Sequence, residues 1–448
     1  MRDKLADLTE TLLSAAKKAG ADSSDAIAVS GRSLSIEVLN GKLEHAERAE
    51  GIDIGLRVIL GARQACVSSS DINPSTITEM AERAVAMARE APEDTSVGLA
   101  DPDQLARDWD VASLELADMS AEPSPKQLEQ DALAAEAAAA GVKGVAQVQG
   151  SSAGYSSSGI HLAASNGFSG GYGRTGRNIS CVAISGEGLS MERDYFGEHR
   201  VFQADLPDAA WIGQIAGERA VARKNPKRPP TGAYPVLYDE RVSSSLIGHL
   251  LGAINGGSIV RGSSWLRDAL GQQVLPKGLT LIEDPFRKRV SGSRPFDAEG
   301  LPVSRRLIVD DGVLTGWVLD LATGRRLGMP STGNATRGTS APPSPSSGNI
   351  ALTQSTRSRD DLIREMGTGL LITSMIGSSI NATTGDYSRG ASGFWVENGE
   401  ITGPVNECTV AGNLRDMLLT LEAANDARTH MMHVVPSLLV QGLTIAGA

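Results

Sequence analysis

The chain opens on a helical pattern. Between residues 3 and 19 the apolar positions Leu5, Leu8, Leu12, Leu13 and Ala16 recur at the spacing of an amphipathic helix, and Gly20 ends it. The period then drops to two. Ser35-Ile36-Glu37-Val38-Leu39 runs into Asn40-Gly41, a strong hairpin signal. Ile52, Ile54, Leu56 and Val58 alternate with Asp53, Gly55 and Arg57, which predicts a strand with one apolar face. Residues 71 to 91 predict a second helix, opened by Asn73-Pro74-Ser75 and buried along Ile77, Met80, Ala84 and Met87.

From 91 to 125 Pro, Asp, Glu and Ser dominate without a period, which suits a linker with one short helix. Gln127 to Ala140 is rich in alanine and glutamate and predicts a helix. Strands broken by Asn166-Gly167 and clustered glycines run from 142 to 199, and Leu206 to Lys224 predicts another helix. The basic, proline-rich stretch Lys224 to Gly232 cannot continue it. The expected division is a domain over 1–226, with subregions 1–92 and 120–226 joined by a linker, and a second over 232–448. In the second, strands are expected at Tyr234–Tyr238, Leu279–Glu283, Arg306–Val309, Val313–Asp320, Phe394–Val396, Ile401 and Ser437–Ile445. Helices are expected at Glu240–Ala253, Asp360–Gly367 and Asn413–Ala424, and a Gly/Ser/Pro loop at Ser331–Asn349. Asp310-Asp311-Gly312-Val313-Leu314 and Glu397-Asn398-Gly399-Glu400-Ile401 echo each other as strand, acidic-Gly turn, strand, which fits related hairpins in one sheet, although two short copies do not establish a repeat. No regular strand–helix rhythm appears, so the fold class is α+β. An N-terminal α/β domain built on an antiparallel meander with helices precedes a larger β-rich C-terminal domain with peripheral helices.

Composition narrows the function. The 448 residues include 50 glycines, consistent with many tight turns. Lys plus Arg number 42 against 53 Asp plus Glu, a net charge of −11, which argues against a nucleic-acid partner. No run of about 18 apolar residues occurs, so no membrane-spanning helix is expected. The charged N-terminus lacks a secretory pattern, and three cysteines are too few for a disulfide framework. A reducing, cytoplasmic location is the expectation.

Motifs for chemistry are sparse. Gly171-Tyr172-Gly173-Arg174-Thr175-Gly176 fits G-x-G-x-x-G, but a strand pattern follows where a phosphate-binding helix should begin. It reads as part of a meander. His430 and His433 lack a nearby acid or cysteine and read as an exposed pair. Ser243–Ser245 and Ser263-Ser264 lack a nucleophile elbow, and Cys66 and Cys408 read as small buried hydrophobes. No catalytic residue and no metal site emerge from the residues alone.

Five blocks nevertheless resemble the TldD/PmbA family in order. They are Gly292-Ser293-Arg294-Pro295-Phe296-Asp297-Ala298-Glu299-Gly300-Leu301-Pro302, Asp311 to Leu314, Ser331 to Gly338, Thr384 to Phe394, and Pro436 to Gly447. The family comprises microbial proteases also described as modulators of DNA gyrase, working as a heterodimer of a TldD and a PmbA (TldE) subunit. The resemblance implies that the TldD branch holds zinc with H-E-x-x-x-H on the first helix of its C-terminal domain and a later cysteine. Here the matching helix reads His249-Leu250-Leu251-Gly252-Ala253-Ile254: Leu250 replaces the glutamate and Ile254 the second histidine. No cysteine occurs between Asn425 and Val435. The resemblance thus implies the PmbA branch, a subunit binding no cofactor of its own, with zinc in a TldD-type partner and a peptide as substrate. A homodimer is compatible with the isolated chain. The glycine-rich loops are expected to line a peptide site, through Thr332, Gly333 and Asn334 in one and Gly385, Asp386 and Ser388 in the other. A self-sufficient peptidase and a regulator of gyrase or of a toxin–antitoxin system are the alternatives.

Overall fold

A computed structural model describes residues 2 to 447. Helix α1 (Arg2–Ala19) buries Leu5, Leu8, Leu12 and Ala16 as its period predicts. Strands β1 (Ser23–Leu39) and β2 (Lys42–Leu60) are far longer than the alternating segments suggest, and pair along their whole length. Asn40 and Gly41 both take positive φ, +54° and +71°, as the tight reversal between right-twisted strands requires. β3 (Arg63–Ser69) pairs with β2 only from Ile54 onward. In α2 (Pro74–Glu90) the buried stripe is centred on Ile77, Ala81, Ala84 and Ala88. Met87, expected within it, lies about a quarter turn away and is 47% exposed.

α3 (Pro125–Gly141) starts from a reciprocal cap between Ser124 and Gln127. With β4 (Val145–Ala164), β5 (Ser169–Ser185), β6 (Glu192–Arg200) and α4 (Ala209–Ala222) it completes the N-terminal half. The sheet is antiparallel throughout, in the order β3-β2-β1-β4-β5-β6. Alternation puts Ala26, Ala28, Leu34, Ile36 and Val38 of β1 on one face. The first two pack with α1 and α2, the last three with α3 and α4. On the opposite face Ile27, Leu162 and Phe168 meet Trp109 and Phe296. The glycines from Gly171 to Gly176 lie within β5.

The segment between α2 and α3 carries one turn of 3-10 helix, Ala112–Leu114, and is strapped to the C-terminal half. Arg325 donates to the carbonyls of Ser96 (3.0 Å) and Leu99 (2.6 Å). Arg326 binds Asp94 (2.5 Å) and Ser96, while Arg289 pairs with Glu115 (2.6 Å).

The C-terminal half begins with β7 (Gly232–Tyr238), α5 (Glu240–Ala253) and α6 (Gly256–Val260), followed by β8 (Leu281–Glu283), β9 (Arg306–Asp310) and β10 (Val313–Leu314). Next come α7 (Leu321–Leu327), the two-residue strands β11 (Ala335–Thr336) and β12 (Ser344–Pro345), β13 (Ile350–Leu352) and α8 (Arg359–Met366). β14 (Gly369–Ile380), β15 (Asp386–Glu397), β16 (Glu400–Asn413), α9 (Leu414–Leu419), β17 (Glu422–Ala423), β18 (His433–Val434) and β19 (Leu438–Ala446) complete it. The order β16-β15-β14-β7-β19 closes through a β16–β19 pairing into a barrel-like sheet, with β17 on β19. Only β14 and β7 run parallel within it. A second sheet has the order β10-β9-β8-β13-β18.

Alternation sorts the barrel strands. Val236, Tyr238, Leu370 and Ile372 face α5, whereas Leu237, Leu371 and Leu439 face Leu362, Ile363 and Met366 of α8. β14 therefore starts as a strand buried on both sides, Gly369 to Thr373, and shows no polar alternation in sequence. Several expectations change. The segment Val313–Asp320 is a strand only at Val313–Leu314. The helix expected to reach Ala424 stops at Leu419, because Glu422 and Ala423 pair with Leu439 and Leu438. The two echoed hairpins share their turn geometry, with positive φ at Asp311 and Gly312 and at Asn398 and Gly399. They belong to different sheets, not to one.

Candidate functional site

Asp239 caps α5 by accepting the Arg241 amide, and the helix presents Leu246, Ile247, Leu250 and Leu251 to the barrel core. Leu250 and Ile254, which the sequence resemblance sets against a glutamate and a histidine, are both wholly buried there. His249 stands edge-on to Tyr387, with ring centroids 5.9 Å apart. Tyr387 in turn lies 3.5 Å, hydroxyl to hydroxyl, from Tyr238. His249 Nε2 is buried without a hydrogen-bond partner. Burial, with Arg389 adding to it, lowers this imidazole to about 4, so it is neutral at physiological pH. One imidazole between leucine and isoleucine does not make a zinc donor set, which needs three or four N, O or S ligands. Among the described residues no group of three His, Cys, Asp or Glu is placed to hold a metal.

The Ser331–Gly338 loop is tied inward. Thr332 Oγ1 accepts from the Leu319 amide (2.8 Å) and donates to Asn334 Oδ1 (2.7 Å). Asn334 is 1% exposed, and its Nδ2 donates to Glu283 Oε1 (2.8 Å) and to the Ser346 carbonyl (3.1 Å). Gly333 has φ +67°, and a Cβ there would stand 2.6 Å from the Pro302 carbonyl oxygen. Arg337, its side chain fully buried, pairs with Asp25 of β1, which also accepts from Arg57 Nε (2.7 Å). Burial raises the Asp25 carboxyl, but Arg337 and Arg57 outweigh it and hold the group below its ordinary value. The loop presses so closely on β2 that a Cβ at Gly55 would meet the Thr339 carbonyl at 2.1 Å.

Residues that the sequence reading left without a role support this loop. Asp297 accepts the amides of Glu299, Leu301 and Ala335 at 2.9, 2.9 and 3.1 Å. Glu299 accepts the Leu321 amide at 2.8 Å. Burial raises both carboxyls, and for Glu299 the neighbouring Asp297 and Asp320 add to the rise. The Arg294-to-Pro302 block was the available signal for this pair. Cys66, expected to be buried, is only partly so, opposite Arg57, whereas Cys408 is buried with Sγ 3.2 Å from the Ala391 carbonyl.

Gly385, Asp386 and Ser388 lie elsewhere, where β14 turns into β15. Asp386 is exposed, and Thr384 Oγ1 (2.6 Å) and Asn413 Nδ2 (3.2 Å) hold its carboxyl below the ordinary range. Gly385 has φ +83° and packs on Trp265, and Ser388 sits opposite Ala411 in the sheet. The two groups of expected lining residues thus bond to different partners in different settings. His430, read as exposed, is instead 3.2 Å from Glu198 of β6, which also binds Arg428 at 2.8 Å. The acid that the local sequence lacks comes from the other half of the chain. Burial raises Glu198, but His430, Arg200 and Arg428 bring it down to about 2.

Residues 231–447 match the family described as the PmbA/TldA metallopeptidase C-terminal domain, 24–88 its domain 1 and 118–224 its central domain. The chain belongs to the PmbA/TldD metallopeptidase family. It is 37% identical to the metalloprotease PmbA of Escherichia coli O157:H7 over 92% of this chain and 90% of that protein. It is 36% identical to a PmbA homologue of Haemophilus influenzae, over 96% and 94%. A solved structure described as a candidate modulator of DNA gyrase, from Bacteroides thetaiotaomicron, superposes with a TM-score of 0.92 at 28% identity, covering 100% of this chain and 99% of that one. TldE from Thermococcus kodakarensis shares the fold, with a TM-score of 0.84 at 21% identity over 98% and 99%.

Proposed function

We propose that this chain is the partner subunit, of the PmbA/TldE type, in a heterodimeric cytoplasmic zinc metalloprotease that acts on unfolded peptides, with the zinc in a TldD-type subunit. The inward face of α5 carries this reading. Leu250 fills the core where a carboxylate would activate water, and Ile254 fills it where an imidazole would ligate. Neither side chain has a donor atom, and His249 alone leaves the set incomplete. The role left to this chain is to shape the shared chamber and hold the substrate. An extended peptide bound through its main chain along a strand edge would be selected for being unfolded rather than for its sequence. Asp386 and Ser388 at the β14–β15 turn are the side chains this reading assigns to the peptide. Thr332, half-buried, and the buried Gly333 and Asn334, all bonded or packed inward, are assigned to holding the loop.

The test is co-expression with a TldD-type subunit and an assay on an unfolded peptide. The complex should cleave, a chelator should stop it, and neither subunit alone should match it. Cleavage by this chain alone, or by the TldD-type subunit at an unchanged rate after this chain is removed, overturns the reading.

A further inference from the structure

The segment between α6 and β8 builds a small hollow against α9. Ser264 fixes one end of the segment: its Oγ donates to the Ala253 carbonyl at the end of α5 (2.6 Å) and accepts the Leu266 amide (3.0 Å). The Val274 amide fixes the other end on the Gly312 carbonyl (2.8 Å). Trp265, Leu266 and Val274, all buried, give the hollow an apolar floor, and Leu419 of α9 faces them 42% exposed. The space is about 210 Å³. A cavity of about 150 Å³ already admits benzene, so one side chain of leucine to phenylalanine size fits.

Hydrogen bonds tie this hollow to the β14–β15 turn. The Trp265 amide donates to the Ala382 carbonyl (2.8 Å), and Gly385 packs on the Trp265 ring. The Leu414 amide donates to the Gly385 carbonyl (2.8 Å). Asn413 joins the two places directly, since its Nδ2 donates to Asp386 (3.2 Å) and its Oδ1 accepts the Arg415 amide (3.0 Å). An extended chain advances about 3.3 Å per residue, so a peptide held at Asp386 brings its next residues to the hollow. Two charged side chains line it. Asp268 is paired with Arg267 (3.5 Å), whereas Arg415 is exposed and makes no ion pair among the described residues. An apolar cleft with one free guanidinium is complementary to an apolar side chain standing next to a carboxylate.

We infer that this hollow is a specificity pocket: it takes one apolar side chain of the peptide, and Arg415 takes an aspartate or glutamate side chain beside it. The inference rests on the peptide role proposed for the β14–β15 turn. It adds the substrate class, unfolded segments in which a leucine- to phenylalanine-sized residue adjoins an acid.

Fluorescence anisotropy of labelled, unfolded peptides on the full chain tests this without requiring cleavage. A peptide carrying leucine followed by glutamate, among glycines and serines, should bind about tenfold more tightly than the same peptide with alanine for leucine. It should bind about threefold more tightly than the peptide with lysine for glutamate. Ala269→Phe, at a half-buried position in the wall, fills the hollow and should erase the leucine preference. Arg415→Glu, on the surface, should reverse the charge preference, so that the lysine peptide binds better; a misfolded variant would lose binding instead of reversing it. Equal binding of the leucine and alanine peptides to the unaltered chain overturns the inference, as does a charge preference that Arg415→Glu leaves in place. A preference that follows the free C-terminal carboxylate, and vanishes when the peptide is amidated, overturns the assignment of Arg415 to an acidic side chain. Binding preferences as expected, with no cleavage by the complex with a TldD-type subunit, sink the protease reading and uphold the pocket. Cleavage by the complex with no such preferences does the opposite.

Discussion

The two glycine-rich loops that resemble each other in composition differ in what surrounds them. Ser331–Gly338 lies between the halves of the molecule, with Asn334 bonded to Glu283 and Arg337 locked onto Asp25. The β14–β15 turn carries Asp386 in the open, braced only by Thr384 and Asn413 beside it. A strongly patterned loop can be patterned for either reason. What separates them is whether the polar side chains find buried partners. Unmade hydrogen bonds and uncompensated charges in the interior are expensive, so residues such as Asn334 and Arg337 are tightly specified by stability alone.

This contrast breaks most sharply at Asp25. Asp25→Ala would leave Arg57 and Arg337 buried against each other, and unfolding in urea should show a loss of about 3–5 kcal/mol. A loss near zero would mean that Arg337 does not pin the halves together. Next in size is Asn334→Ala, which removes a buried donor from Glu283 and should cost about 1–3 kcal/mol in the same measurement. Acid probes the contact between the halves. The Glu198 carboxyl is held at about 2 against an ordinary 4.5, and Asp25 is shifted in the same direction. A depressed carboxylate contributes its stability above its unfolded value and loses it as the pH falls through the folded one. Stability should therefore drop as the pH falls from 4.5 towards 2, and by less in Glu198→Gln; parallel curves for the two proteins would contradict this. The smallest effect on folding belongs to Asp386→Ala, which should leave the melting temperature unchanged while lowering peptide cleavage by the complex with a TldD-type subunit. Equal cleavage by the variant would remove the turn from the substrate site and collapse the contrast.

Local patterns were legible wherever one element met water on one side. α1, the Asn40-Gly41 hairpin and the limits of α5 follow from period, turn residues and capping. β14 was not legible as a strand, since its first residues are buried on both sides. Nor could the sequence place Asp25 against Arg337, 312 positions away, or supply Glu198 to His430. Such pairs depend on how the two halves close, and no local spacing encodes that. The apolar substitutions at Leu250 and Ile254 were legible through the family resemblance, and the structure adds that both side chains fill the core.

The central claim concerns α5, and metal analysis tests it most directly. The purified chain, incubated with zinc and dialysed, should retain none above background. The complex with a TldD-type subunit should retain zinc and keep it when His249→Ala is introduced into this chain. Stoichiometric zinc held by this chain alone and lost in His249→Ala would contradict the account.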